Sequence, residues 1–315
     1  MTETNKTTNS ESFEQSLVNE LAKEVLSEQR RNRRWGVFFK SLFALYLLSF
    51  FVVYLVKNTE MGSFSTDKHT AIVEISGVIA ANTEARADYV VTGLRNAFED
   101  ENTQGVILRI NSPGGSPVQA GYINTEVKRL REKYPDIPLY AVITDVCASG
   151  GYYIAVAADK IYANQASIVG SIGVVMSGFG FVDAIEKLGV ERRLLHAGNS
   201  KGLLDPFQPL KQDEQTHIQG LLDEIHQQFI DVVKDGRGDK LIDDEKLFSG
   251  LIWSGTEGIK LGLVDELASA GQVARDVIGA EDIVDFTKRE SYLDQFAKQM
   301  GAVLYQSMTE GFKLE

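Results

Sequence analysis

The chain is poor in cysteine and in positive charge, and each shortage excludes something. A single cysteine, Cys147, among 315 residues leaves no internal disulfide, so cysteine usage does not separate a cytosolic chain from one in an oxidising compartment. Lys+Arg 32 stand against Asp+Glu 44, a formal charge of -12, which argues against the basic face that a nucleic-acid binder needs. Apolar residues are not scarce. The hydrophobic fraction of 43%, with 16 Phe and 11 Tyr, rules out wholesale disorder. A chain of this length builds one large or two ordinary domains without a disulfide or metal staple.

One long apolar run is present, at residues 35–56, interrupted only by Lys40. About 20 such residues cross the hydrocarbon core as a helix. A buried core helix is seldom apolar all round for so many turns, and Lys40 sits where its amine can snorkel. A cleaved signal peptide fits poorly, because a long polar stretch precedes the run and no small-x-small site follows it. The run is therefore expected to be a transmembrane helix. Arg30, Arg31, Arg33 and Arg34 stand directly before it and only Lys57 and Lys68 close after it, which predicts a cytoplasmic N-terminus. Residues 1–61 hold 8 basic and 7 acidic side chains, which leaves 24 and 37, net -13, for the outward part. In the tail, 1–34, Phe13, Leu17, Leu21 and Val25 share one helical stripe. That stripe suits a partner-binding or membrane-surface helix and equally a juxtamembrane helix without a specific role.

Beyond a linker at 57–68, strand-like and helix-like segments alternate. Strands are expected at 71–79, 105–110, 139–144, 160–163, 172–176 and 191–196. Helices are expected at 89–98, 118–133, 150–158, 182–188, 211–234, 243–247 and 256–261, the last closed by Gly262. This βαβ punctuation predicts an α/β fold with a parallel sheet covered by helices. No repeat or change of composition divides 69–315, which reads as one domain.

Function in such folds gathers beyond the carboxyl ends of strands. Two glycine-rich turns lie there. Asn111-Ser112-Pro113-Gly114-Gly115-Ser116 follows an apolar strand, and its adjacent glycines permit a sharp turn with N–H groups facing an oxyanion. Asp145-Val146-Cys147-Ala148-Ser149-Gly150-Gly151 places a serine where a strand gives way to a helix. A serine there is more often an N-cap than a catalyst. The combination favours chemistry: Ser149 as nucleophile, the Gly150 N–H beside it, and Gly114 and Gly115 as a second donor loop make an acyl-transfer oxyanion hole. Cys147 reads as a small buried filler, and Tyr152 and Tyr153 as helix packing.

These two turns, together with G-S-I-G-V at 170–174, S-K-G-L-L-D-P-F-Q-P at 200–209 and W-S-G-T-E-G-I-K-L-G-L-V-D-E-L at 253–267, resemble the signal peptide peptidase A family, in order and over nearly all of 71–267. The resemblance implies a ClpP/crotonase-type fold behind one N-terminal transmembrane helix, in a bacterial inner membrane with the catalytic domain outside the cytoplasm. It implies a Ser/Lys dyad of Ser149 and Lys201, with Ser171 orienting the lysine and Ser167 as its nearby competitor. The substrates implied are remnant signal peptides. By analogy with long relatives that carry two copies of the dyad region, the resemblance also suggests a homo-oligomeric ring with the dyad shared between protomers. No metal and no cofactor are expected. A histidine base would be the usual partner of a serine, and among the four histidines only His196 is placed for it. Lys201 serves as base only if burial makes its amine neutral, and Leu203, Leu204, Pro206 and Phe207 offer apolar cover. Two other readings are a crotonase-like acyl-thioester enzyme, which sits badly with an outward domain because coenzyme A is cytosolic, and a non-catalytic membrane scaffold of the same fold.

Overall fold

The computed structural model describes residues 29–52 and 67–290. The tail helix expected at 13–26, the end of the apolar run at 53–56, most of the linker and the segment 291–315 lie outside the described residues. The chain divides into two units, Met1–Phe64 and Ser65–Glu315.

In the first unit α1 spans Gln29–Val52, a 24-residue helix long and apolar enough to cross a membrane, with none of its apolar window buried against protein. It begins ahead of the apolar run because the arginine-rich segment that precedes it is itself a good helix former.

The second unit is a mostly parallel sheet built from βαβ units. Its elements begin with β1 His69–Ser76, α2 Ala87–Glu99, β2 Thr103–Ser112, α3 Pro117–Lys133, β3 Leu139–Ala148 and α4 Gly150–Ala155. There follow β4 Lys160–Ala163, β5 Ile168–Gly170, α5 Val182–Lys187, α6 Gln212–Arg237, β6 Ile252–Ser254, α7 Gly255–Lys260, β7 Glu266–Leu267, α8 Ala270–Gln272 and β8 Ile283–Asp285. The path β6-β5-β3-β2-β1-β8 forms the sheet, with β4 branching from β3 and β7 pairing with β4. Among the described strands only β5 and β6 pair antiparallel. Alternate side chains of the central strands enter opposite faces. Val73, Val106, Leu108 and Ala141 join the larger core with Leu94, Ile123 and Ile154 of the covering helices. Ile72, Ile107 and Val142 meet Val273 and Ala274 on the other face. Each fully buried branched side chain contributes about 2 kcal/mol.

β3 changes neighbour along its length. Tyr140, Ala141 and Val142 pair with β4, whereas Val146, Cys147 and Ala148 pair with β5. The register against β2 slips between Ile110 and Ser112. At the far edge β8 closes the sheet on β1: Thr70 N–H donates to Asp282 O at 2.8 Å, Thr70 Oγ1 to Ala280 O at 2.6 Å and Phe286 N–H to Ile72 O at 2.9 Å.

Two expected strands are absent. Residues 172–176 are irregular, because β5 lies earlier, at Ile168–Gly170, and the chain then turns at Ser171, whose φ is +53°. Residues 191–196 are likewise irregular. Their alternating pattern finds no neighbouring strand among the described residues, and Leu195 is 96% exposed. Val175, Phe179 and Leu188 nearby are also exposed.

A buried ion pair ties α6 to the loop before β7. Arg237 Nη1 donates to Asp265 Oδ2 at 2.7 Å and its Nε to Gly262 O at 2.8 Å. Lys240 Nζ and the Ile161 N–H complete the carboxylate's shell. Burial raises the Asp265 pKa, but these hydrogen bonds outweigh it and hold the group at about 2. A carboxylate held below its unfolded value near 4 stabilises the fold above that value and loses the contribution as pH falls through the folded one. Unfolding free energy is therefore expected to be flat above about pH 5 and to fall progressively from about pH 4 toward 2, with a smaller fall in Asp265→Asn; denaturant titrations across that range check it. Removing the guanidinium in Arg237→Ala is expected to cost about 3 kcal/mol at neutral pH.

Candidate active site

The two glycine turns meet at the carboxyl ends of β2 and β3. A Cβ on Gly114 would lie 2.7 Å from Ser149 Cβ and 2.8 Å from both Ala148 O and Gly150 N, so the loop packs main chain to main chain against the serine turn. Its φ of +101° suits only glycine. On its other side the loop is clamped to the segment after β1. Ile79 N–H donates to Gly114 O at 2.9 Å and Ser116 N–H to Ile79 O at 2.7 Å. A Cβ on Gly115 would stand 2.1 Å from Ile79 O.

Ser112 organises this loop, and reading the sequence did not single it out. Its hydroxyl is buried, donates to Gly77 O at 2.6 Å and accepts the Gly114 N–H at 3.1 Å. That bond commits the Gly114 amide. The Gly115 and Gly150 amides have no partner among the described residues and are neighbours, since a Cβ on Gly150 would lie 3.3 Å from Gly115 N. Of the two donors offered by the Pro-Gly-Gly loop, Gly115 is the one left open.

Ser149 stands at the N-cap position of α4 but does not cap it. Its side chain makes no capping bond, and its φ and ψ are 52° and -122°. Its N–H donates to Gly170 O at 2.9 Å, and its carbonyl accepts from Tyr153 N–H at 2.9 Å. A positive φ on a non-glycine residue costs about 1–3 kcal/mol and persists only where the surroundings impose it. Among the described residues, the non-glycine residues in this state are Ser149, Ser171 and Leu204. Two of these belong to the expected site, and the third lies three residues beyond Lys201.

Ser171 is half-buried, its N–H donates to Leu251 O at 2.7 Å, and its hydroxyl has no partner among the described residues. The Ser167 hydroxyl, by contrast, accepts from Asn164 N–H at 2.9 Å and donates to Thr144 O, which commits it to a structural turn. Lys201 is exposed, in a turn closed by its own N–H on Gly198 O at 3.0 Å. It makes no hydrogen bond to Ser149. Leu204 is 44% and Phe207 37% exposed, so the apolar cover offered by its neighbours does not enclose the amine within one chain. His196 is exposed too and lies beside Gly202, without a bond to Ser149.

Cys147 is wholly buried, and burial pushes its thiol far above the ordinary range. Tyr152 is buried with its hydroxyl on Leu263 O at 2.9 Å, and Tyr153 packs its ring against Phe229 at 5.2 Å. All three are structural. No group of three or more metal-ligating side chains occurs among the described residues.

A ClpP-like α/β sheet carrying a strained serine beside two open main-chain amides has the architecture of a serine-peptidase domain. The model of Peptidase family S49 matches residues 131–282. The chain is 30% identical over 256 residues to the "Putative signal peptide peptidase SppA" of Enterococcus faecium, covering 79% of this chain and 70% of that one. It is 35% identical over 205 residues to "Putative protease slr0021" of Synechocystis sp., covering 65% and 72%. The chain belongs to peptidase family S49. It is also 46% identical over 186 residues, 59% of its length, to a protein of Brucella abortus named "Na(+)/H(+) antiporter NhaA", but spans only 25% of that protein.

The strain at position 149 is separable from chemistry. Ser149→Gly, which relieves the positive φ, is expected to be more stable than Ser149→Ala by about 1 kcal/mol in denaturant unfolding. Gly115→Ala is expected to unfold at lower denaturant than wild type, because the methyl group collides with the Ile79 carbonyl.

Proposed function

We propose that this protein is a membrane-anchored serine endopeptidase that degrades remnant signal peptides after their release from exported proteins. The observation that carries the proposal is Ser149 itself, held in a strained turn with a hydroxyl that caps nothing, next to the open amides of Gly150 and Gly115. In this reading Ser149 Oγ attacks the scissile carbonyl and its proton passes to Lys201. The two amides hold the resulting oxyanion. Lys201 then protonates the leaving amine, and a water activated by the same lysine releases the acyl group. Ser171, whose neighbour Ser167 is already committed, orients the lysine amine. The substrate class is supported by the name of the Enterococcus relative and by α1, which would hold the site near a bilayer from which apolar peptides emerge. The arginine-rich start of α1 supports an N-terminus in the cytoplasm and a peptidase domain outside it.

Lys201 is exposed and makes no hydrogen bond to Ser149 within one chain, which supports a ring in which each serine meets the lysine of an adjacent protomer. The exposed Val175, Phe179, Leu188 and Leu195 supply apolar area for such an interface. The test is complementation with full-length chains in detergent. Ser149→Ala and Lys201→Ala are each expected to be inactive on a peptide substrate. Co-assembled in equal amounts they are expected to recover about a quarter of wild-type activity, the share of neighbour pairs that bring an intact serine to an intact lysine. No recovery in rings shown to be mixed places the dyad within one chain; full activity of Ser149→Ala alone removes Ser149 as the nucleophile, and no cleavage by the wild type removes the peptidase reading in favour of a scaffold.

A further inference from the structure

Helix α6 reaches the turn after β5 through His226. His226 is half-buried, and its Nε2 lies 3.2 Å from the carbonyl oxygen of Ile172. A carbonyl only accepts, so the imidazole carries a proton on Nε2. The helix behind it is anchored by Phe229 and Val233, both buried, with Phe229 against Tyr153 of α4. His226 lies within the helix expected at 211–234.

Ile172 is fully buried and follows Ser171, whose positive φ must be imposed by its surroundings. Three hydrogen bonds impose it. Ser149 N–H donates to Gly170 O at 2.9 Å, Ser171 N–H donates to Leu251 O at 2.7 Å, and His226 donates to Ile172 O. Trp253 closes another side, since a Cβ on Gly170 would lie 2.9 Å from its ring. Two of the three bonds are main chain to main chain. Among the described residues, His226 is the side chain that donates to a carbonyl of the 170–172 turn, and it does so on the residue next to the serine that the dyad uses.

We propose that His226 is a positioning residue for the peptidase reaction. By fixing the Ile172 carbonyl it holds the Ser171 turn in its strained form, and thereby aims the Ser171 hydroxyl at the lysine amine. The bond also ties that turn to α4, the helix that starts at the nucleophile, through the α6 contact with Tyr153. The inference rests on the Ser149 and Lys201 reading above, and it adds a residue that contacts neither substrate nor nucleophile.

The experiment compares full-length wild type, His226→Phe, which keeps a ring but no donor, and His226→Gln, which keeps a donor, in steady-state cleavage of one fluorogenic peptide. In His226→Phe kcat is expected to fall about tenfold with KM changed less than about twofold, as a misaimed catalytic group predicts. His226→Gln is expected to recover most of the lost kcat. If His226→Phe does not fold, His226→Leu takes its place as the donor-free variant. The inference is overturned if the folded donor-free variant keeps kcat within about twofold of wild type, or if the Gln variant is as slow as the donor-free one. Ser149→Ala in the same assay separates the two levels. Activity there sinks the dyad reading, whereas an inactive Ser149→Ala beside an unimpaired donor-free variant sinks only the role of His226.

Discussion

The close approach of Gly114 to the Ser149 turn is the constraint on which the site depends. No side chain fits between these segments, so the main chains of two loops touch directly and each limits the other. The consequence reaches in both directions. Toward β1, the loop is clamped by Ile79 and by the Ser112 hydroxyl; toward β5, the serine is clamped by Gly170. The Ser149 turn cannot relax its positive φ without disturbing three strand ends at once, and that is how a local strain of about 1–3 kcal/mol can persist in a molecule of marginal stability.

Much of this fold was legible in residue order because the elements that build it are local. The apolar strands at β1, β2 and β3 and the helices between them were marked by continuous β-branched runs and by glycine and proline punctuation, and the parallel topology followed. The serine turn and its glycine partner were legible for the same reason: each sits directly after a strand. What was not legible depends on long-range geometry. Alternation at 191–196 is a strand signal, but a strand needs a neighbour and the described chain supplies none. Ser167 and Ser171 look alike in sequence, and only the turn at Asn164 shows that one hydroxyl is committed. His226 lies 54 residues from the carbonyl it meets, and no local pattern announces that contact.

The domain divides into a finished half and an open one. The sheet from β1 to β5 has a dense core, and the loops around Ser149 are tied down by main-chain hydrogen bonds. The stretch that carries Lys201 has short elements, exposed aromatic and aliphatic side chains and a lysine without apolar cover. Under the proposed mechanism Lys201 must be desolvated, so the half of the molecule that bears it is the half that needs further contacts.

The pairing of β8 with β1 bears on how the chain is made. β1 is among the first residues of the domain to leave the ribosome and β8 among the last, yet Thr70 depends on Ala280 and Asp282 for its bonds. Until β8 arrives the outer edge of β1 stays unpaired, an apolar strand with free N–H and C=O groups of the kind that recruits foreign strands. The Ser149 turn, built from β2, β3 and β5, needs none of the residues of β8. It can therefore form before the sheet is sealed, and the chain is most vulnerable to misassociation while it waits for β8.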